Sequence, residues 1–119
     1  MGKYQVIFFE NENGDVPAED FINSLDVKMI AKIYRLLVMI SENGTNLREP
    51  YSKHLDDGIF ELRAKVGSDI ARILYFFFVG KRVIVTNGFI KKTQKTPKSE
   101  IDKAKAFRKE YKEKEELQT

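Results

Sequence analysis

The stretch that decides the fold runs from residue 59 to residue 90 and reads IFELRAKVGSDIARILYFFFVGKRVIVTNGFI. In its first eight residues, apolar side chains alternate with charged ones, which is typical of a strand with one buried face. The turn pairs Gly67-Ser68 and Gly80-Lys81 divide the stretch into three strands joined by hairpins, at 59–66, 69–79 and 82–90. Four aromatic residues follow one another at 75–78, so we expect the middle strand to be central and covered on both faces.

Upstream of this meander, residues 4–9 (YQVIFF) fit a short buried strand. Pro17 opens a short helix, and Asp26 is a candidate N-cap for a longer helix that Gly44 ends. The apolar stripe predicted for the longer helix is Val27, Ile30, Ala31, Tyr34, Leu37 and Val38. Residues 53–55 also fit a short strand.

Downstream, Thr96 is the predicted N-cap of a last helix and Pro97 its first residue. The apolar stripe of that helix is Ile101, Ala104, Phe107 and Tyr111, and we expect residues 112–119 to fray because they lack an apolar face. The predicted fold is one α+β domain over residues 1–119, with an antiparallel-rich sheet and the order β-α-α-β-β-β-α. An N-terminal helical hairpin and the C-terminal helix pack on the sheet.

The composition excludes several classes of function. The chain has 119 residues, 42% of them hydrophobic, with no cysteine and one histidine. These counts exclude a disulfide framework, a zinc–thiolate site and a thiol nucleophile, and we expect no metal and no cofactor. No apolar run approaches the roughly 20 residues of a membrane span, and no signal-peptide cleavage site follows the first apolar run. The expected location is the cytoplasm.

The charges are unevenly distributed along the chain. The formal net charge is +3, yet residues 1–80 carry 9 basic and 12 acidic side chains, whereas residues 81–119 carry 12 basic and 6 acidic ones. Four lysines and no acid lie between residues 91 and 98. This pattern fits a polyanionic partner or a solvated basic tail, and charge alone does not choose between them.

The hairpin loops predict which side chains share a face. With two-residue loops, Arg63 lies opposite Arg72 and Arg72 opposite Phe89, while Lys65 and Lys91 occupy the next row. One face would then carry four cations around an aromatic ring, with Glu61 one row away. Because unpaired like charges repel, we expect an anion there: arginine grips phosphate bidentately, and Phe89 offers a surface for base stacking.

Simpler interpretations of the same residues stay open. Arg63 with Glu61, or Arg72 with Asp69, would make ordinary surface ion pairs. Phe89 fits a core position equally well. A three-residue turn at 67–69 would move Arg72 to the other face.

Three other side chains could carry chemistry, but a structural role fits them better. His54 fits a surface or half-buried position better than a catalytic one. Tyr34 and Tyr75 fit the core.

Three motifs carry a family resemblance: residues 58–63 (GIFELR), 72–75 (RILY) and 88–97 (GFIKKTQKTP). In this order they resemble the phage-derived branch of the RelE/ParE toxin superfamily, the HigB-like toxins, and the resemblance covers nearly the whole chain. It implies the toxin of a type II toxin–antitoxin pair, a ribosome-dependent mRNA endoribonuclease that inhibits translation. The implied partners are mRNA on the ribosome and a HigA-like helix-turn-helix antitoxin, with operator DNA reached only through the antitoxin and no membrane involved.

The resemblance also implies a metal-independent reaction, in which the ribose 2′-OH attacks the adjacent phosphate and leaves a 2′,3′-cyclic phosphate. Such a reaction needs a base, an acid and cations for the phosphorane charge. The implied catalytic residues are Arg72 and Arg63, for phosphate stabilisation, and Lys91 and Lys92, either of which is a candidate base. The implied substrate-binding residues are Lys65, Phe89 and Lys95. The better-known HigB arrangement uses a C-terminal histidine, whereas here the single histidine is His54.

Two other functions remain alternatives. A ParE-like gyrase poison would share the fold and act by binding a protein. A non-catalytic RNA-binding module would use residues 91–98 for salt-sensitive phosphate contacts. The basic face across three strands favours RNA over gyrase.

Overall fold

The computed structural model describes residues 3–92 and 95–118. Its elements are β1 (Gln5–Phe8), α1 (Pro17–Asn23), α2 (Val27–Asn43), β2 (Ser52–Asp56), β3 (Ile59–Val66), β4 (Asp69–Phe78), β5 (Arg82–Ile90) and α3 (Lys98–Leu117). The strands form one sheet in the order β1-β5-β4-β3-β2, in which β1 is parallel to β5 and the other pairs are antiparallel. The predicted α+β class, helical hairpin and C-terminal helix are confirmed.

The predicted order β-α-α-β-β-β-α is wrong by one strand, because β2 precedes the three-strand meander. Strand β2 is a sheet edge that pairs only with β3, and a bulge between His54 and Asp56 interrupts its register. An edge strand of five residues with exposed charged side chains has little apolar pattern, which explains why periodicity predicts it weakly.

The sheet has an apolar core on each face. Helices α1 and α2 cover one face, where Tyr75 and Phe77 of β4 pack, and α3 covers the other, where Phe76 and Phe78 pack. Strand β4 has two strands on either side of it. The prediction of a central strand covered on both faces is therefore confirmed.

Helix α2 begins and ends where the sequence predicts, but it buries a different stripe. The Asp26 carboxylate accepts a hydrogen bond from the Met29 N–H at 2.9 Å, and Gly44, with φ of 51°, ends the helix. The buried residues are Met29, Ile33, Leu36, Leu37 and Ile40, whereas Val27, Tyr34 and Val38 of the predicted stripe are exposed. Because α2 is apolar over two adjacent stripes, its periodicity could not tell which one faces the sheet. The prediction that Tyr34 belongs to the core is wrong.

The two hairpins of the meander differ in their loops. Val66 pairs with Asp69 around the predicted two-residue loop, but the β4–β5 loop has three residues, 79–81, and pairs Phe78 with Arg82. This shift would displace the whole of β5 by one position relative to the prediction. A bulge at Thr86 inserts one extra residue and restores the predicted register beyond it.

Helix α3 also differs from the prediction at both ends. Its N-cap residue is Pro97 and no side chain caps it, since the Thr96 hydroxyl bonds elsewhere. The helix continues to Leu117, past the expected fraying point, and an Arg82–Glu115 ion pair of 2.6 Å ties its last turns to the sheet. Within residues 3–92 and 95–118, no helix is long and apolar enough to cross a membrane.

Candidate functional site

The predicted row of side chains exists on the α3 face of the sheet. Arg63 pairs with Arg72 across β3 and β4, and Arg72 pairs with Phe89 across β4 and β5. In the next row, Lys65 lies opposite Ile70, whose carbonyl accepts the Lys91 N–H at 2.7 Å. The register predicted from the loops is therefore confirmed at the site, and the alternative turn that would move Arg72 to the opposite face is not observed.

Glu61 is the residue whose importance the sequence did not reveal. It is completely buried, and its Oε2 accepts hydrogen bonds from Arg63 Nε at 2.9 Å and from Arg72 Nη1. Its Oε1 accepts from the hydroxyl of Thr96, just before α3. The expectation of unpaired cations is wrong for both arginines, because one buried carboxylate holds them together. Arg72 pairs with Glu61 rather than with Asp69.

The two arginines differ in their exposure. Arg63 is half-buried, and its Nη1 also bonds the exposed carboxylate of Glu49 at 3.2 Å. Arg72 is 3% exposed, and its Nη1 also donates to Thr96 Oγ1 at 3.2 Å. The Nε of Arg72 is buried and has no hydrogen-bond partner among the described residues, so this guanidinium keeps an unused donor.

The surroundings of Lys91 lower the pKa of its side chain. Partial burial lowers the pKa of its ammonium group, and the positive charges of Arg72 and Arg63 lower that pKa further. Burial likewise lowers the pKa of Arg72, against the opposing effect of Glu61. An arginine nevertheless remains protonated, so the cluster holds three cations, Arg63, Arg72 and Lys91, against one buried carboxylate.

A cleft of about 230 Å³ opens beside Arg72, between β2 and the start of α3. Its polar lining comes from Arg72, Thr96, Lys53, His54 and Lys95, and Leu55 and Ile101 add apolar walls. Sequence reasoning did not single out Lys53, which lies directly opposite Glu61 in the sheet. Only the pairing of β2 with β3 brings Lys53 there.

The other predicted site residues occupy less central positions. Lys65 and Lys92 are exposed, and Lys92 lies two residues beyond the end of β5. Phe89 is half-buried and packs against the α3 core, so a core role explains much of its presence. Lys95 is exposed at the cleft, while positions 93 and 94 of the predicted 88–97 motif lie outside the described residues.

Two side chains have the structural roles expected of them. His54 is exposed, and its Nε2 accepts a hydrogen bond from the Gly58 N–H at 3.1 Å. Because this hydrogen bond uses the lone pair of Nε2, that nitrogen is not available to accept a proton from a substrate. Tyr75 is buried with its hydroxyl against that of Ser52, and burial raises the pKa of Tyr75 to about 12. No group of three or more potential metal ligands converges within residues 3–92 and 95–118.

Taken together, these side chains can hold a phosphate group. The cluster is cationic, and its central residue, Arg72, lines a cleft and has its guanidinium fixed by a buried carboxylate. Arginines held in this way bind the oxygens of a phosphodiester in a defined orientation. An amine of lowered pKa beside them can accept a proton.

Comparison with known proteins identifies the family to which the chain belongs. A search of curated proteins finds no match for the chain. A family model described as phage-derived protein Gp49-like (DUF891) matches residues 20–109, most of the chain, and the match includes every residue of the cationic cluster and of the cleft. This family indicates a toxin-like role in a toxin–antitoxin context. The chain thus belongs to the Gp49-like family of phage-derived proteins.

Proposed function

We propose that this chain is the toxin of a type II toxin–antitoxin pair and acts as a ribosome-dependent mRNA endoribonuclease. The reaction is attack of the ribose 2′-OH on the adjacent phosphate, without a metal ion. Family membership supports the toxin role, and the cationic cluster supports the choice of RNA.

One observation carries the proposal: Arg72 is buried at a cleft, and Glu61 and Thr96 hold its guanidinium in place. A fixed cation in a site of low dielectric stabilises developing phosphorane charge more strongly than a mobile surface cation does. A surface patch for loose RNA binding needs no such support. A buried ion pair around one guanidinium favours catalysis over simple binding.

In the proposed reaction, Lys91 in its neutral form takes the proton of the 2′-OH. The 2′-oxygen bonds to phosphorus, the bond to the 5′-oxygen breaks, and the products are a 2′,3′-cyclic phosphate and a 5′-hydroxyl end. Arg72 and Arg63 neutralise the extra negative charge on the phosphorane. The departing 5′-oxygen takes up one proton, which the ammonium group of a lysine beside the cluster can supply. Lys92 is the second candidate for the base.

The remaining basic residues extend the surface along the RNA. Lys65, in the row beyond Arg63, and Lys95, across the cleft, would contact flanking phosphates. The half-buried ring of Phe89 would contact a base through its accessible edge. These contacts hold the strand in position and add a salt-dependent term to binding.

We infer the finer classification from the sequence motifs together with family membership. The chain would be a HigB-like member of the RelE/ParE superfamily with a RelE-like fold. Its partner would be a HigA-like helix-turn-helix antitoxin, through which alone it reaches operator DNA, and it would act in the cytoplasm.

The test is to incubate the purified protein with translating ribosomes and a defined mRNA, and to map the 5′ ends with and without EDTA. We expect cleavage that survives EDTA, that Arg72→Ala abolishes, and that the control Lys109→Ala, on the exposed side of α3, retains. Because Arg72 is buried, far-UV circular dichroism must show that the variant is folded. The variant Lys91→Gln, at a less buried position, provides an independent check.

Other outcomes support the alternatives. Intact mRNA together with blocked DNA supercoiling would identify a gyrase poison. Intact mRNA that is bound, with supercoiling unaffected, would identify an RNA-binding module.

A further inference from the structure

A groove of about 550 Å³ lies on the α2 side of the sheet, between β1 and α2. Val6 and Phe8 form its strand wall, and Tyr34, Leu37 and Val38 form its helix wall. Tyr34 and Val38 are 42% and 58% exposed. We call this surface the β1–α2 groove; it lies on the opposite side of the sheet from the cationic cluster.

The strand that borders the groove has an open edge. The Gln5 N–H donates to Lys81 O at 2.8 Å and the Phe9 N–H to Val85 O at 2.9 Å, so these residues point their main-chain groups towards β5. Since direction alternates along a strand, the N–H and C=O groups of Val6 and Phe8 point away from the sheet. No strand in the described part of the chain pairs with that side of β1.

The two edge strands of the sheet differ in how well they could pair with a further strand. Strand β2, at one edge, carries the charged residues Lys53 and Asp56 and a bulge, which are the usual devices that prevent further strand pairing. Strand β1, at the other edge, consists of Gln5-Val6-Ile7-Phe8 and has neither charge, proline nor bulge. Its edge is therefore suited to accept another strand.

The charges beside the groove indicate the chemistry of the occupant. Lys28 and Arg35 lie one helical row away from the exposed ridge of Val27, Tyr34 and Val38 on α2, and neither forms an ion pair within residues 3–92 and 95–118. One acid, Glu42, lies at the far end of the groove. An occupant with acidic side chains would pair with these cations. A second copy of the chain would bring two such rows of cations together, which disfavours a symmetric dimer.

We propose that the β1–α2 groove binds an extended, acidic segment of a partner protein, which adds a sixth strand beside β1. Alternate apolar side chains of the segment enter the groove against Phe8, Tyr34 and Val38, and its acidic side chains meet Lys28 and Arg35. The main chain of the segment pairs with Val6 and Phe8. The inference rests on the groove and its charges and does not depend on ribonuclease activity.

The test is a selection from a display library of random linear peptides of about 12 residues, long enough for one strand, against the immobilised protein. We expect the selected peptides to be acidic, with apolar residues at alternate positions. Fluorescence anisotropy should show that Val38→Glu weakens their binding at least about tenfold. Lys109→Gln, which makes the same change of one negative unit in net charge at an exposed position of α3, should leave it unchanged. N-methylation of every second main-chain amide of the peptide should also abolish binding, because it removes the N–H groups that would donate hydrogen bonds to β1.

Several results would overturn the proposal. The proposal is contradicted if the selection enriches no peptide, or if the enriched peptides carry a net positive charge or have apolar residues at helical spacing. It is also contradicted if the Val38→Glu substitution leaves the affinity of the enriched peptides unchanged. Sedimentation equilibrium provides a further test: a dimer that Val38→Glu dissociates would show that a second copy occupies the groove instead.

Discussion

Replacing Glu61 with glutamine tests whether a single buried carboxylate organises the site. Glu61 is fully buried and bonds both Arg63 and Arg72 as well as Thr96. The Glu61→Gln variant keeps the shape of the side chain but removes its charge, which leaves the nearly buried guanidinium of Arg72 without a counter-ion. Breaking one side of such a buried pair costs about 3–5 kcal/mol.

That cost is large for a domain of this size. Small domains unfold with about 5–15 kcal/mol, and 1 kcal/mol corresponds to roughly 3–5 °C in melting temperature. We therefore expect Glu61→Gln to lower the melting temperature by about 10–20 °C. The measurement is thermal and guanidinium unfolding followed by far-UV circular dichroism, since the chain has no tryptophan.

Glu49 provides a matched control within the same network. It pairs with Arg63 at 3.2 Å, but its side chain is 64% exposed. Solvent screens such a pair, so Glu49→Gln should cost less than about 1 kcal/mol. Equal effects of the two substitutions, or a loss below about 1 kcal/mol for Glu61→Gln, would refute the idea that burial gives Glu61 its importance.

Three further predictions follow from individual side chains. Because burial and the neighbouring arginines lower the pKa of Lys91 below 10.5, the single-turnover rate of mRNA cleavage should rise with pH and level off below pH 10.5. Lys91→Gln should remove this rise, and a variant with the wild-type profile would exclude Lys91 as the base. Burial raises the pKa of Tyr75 from 10.0 to about 12, so the stability that this shift contributes is fully present below pH 10 and is lost as the pH rises through about 12. Over this range, the free energy of unfolding of Tyr75→Phe should fall by about 2–3 kcal/mol less than that of the wild type. Parallel curves for the two proteins would contradict the assignment. A Cβ at Gly88 would lie 2.5 Å from the ring of Phe21, which belongs to α1. Gly88→Ala should therefore lower the free energy of unfolding, measured in guanidinium, by about 1–3 kcal/mol. An unchanged free energy would show that α1 moves away without cost.

Local sequence patterns predict much of this fold. The alternation of residues 59–66 and the aromatic run at 75–78 predict β3 and β4, and turn pairs predict where the strands end. The pairing of Arg72 with Phe89 was also predicted, although two unpredicted features cancel each other on the way: a three-residue loop and the bulge at Thr86. Loop length alone could not have revealed either of them.

Features that depend on distant contacts were not predictable in this way. Glu61 becomes the centre of the site because Thr96, 35 residues further on, reaches it from the start of α3. Without that contact, Glu61 looks like an ordinary solvent-facing acid on a half-buried strand. Packing against the sheet likewise determines which apolar stripe of α2 is buried. The stripe that stays exposed contributes to the helix wall of the β1–α2 groove.

The central claim is that the guanidinium of Arg72, fixed by Glu61, stabilises the phosphorane during cleavage of mRNA. The most direct measurement is the single-turnover cleavage rate of a defined mRNA on translating ribosomes by the Arg72→Lys variant, which keeps the positive charge opposite Glu61. Loss of the planar guanidinium should reduce this rate by about 10²–10³-fold in a protein whose circular dichroism is unchanged. A folded Arg72→Lys variant that cleaves at the wild-type rate would contradict the account.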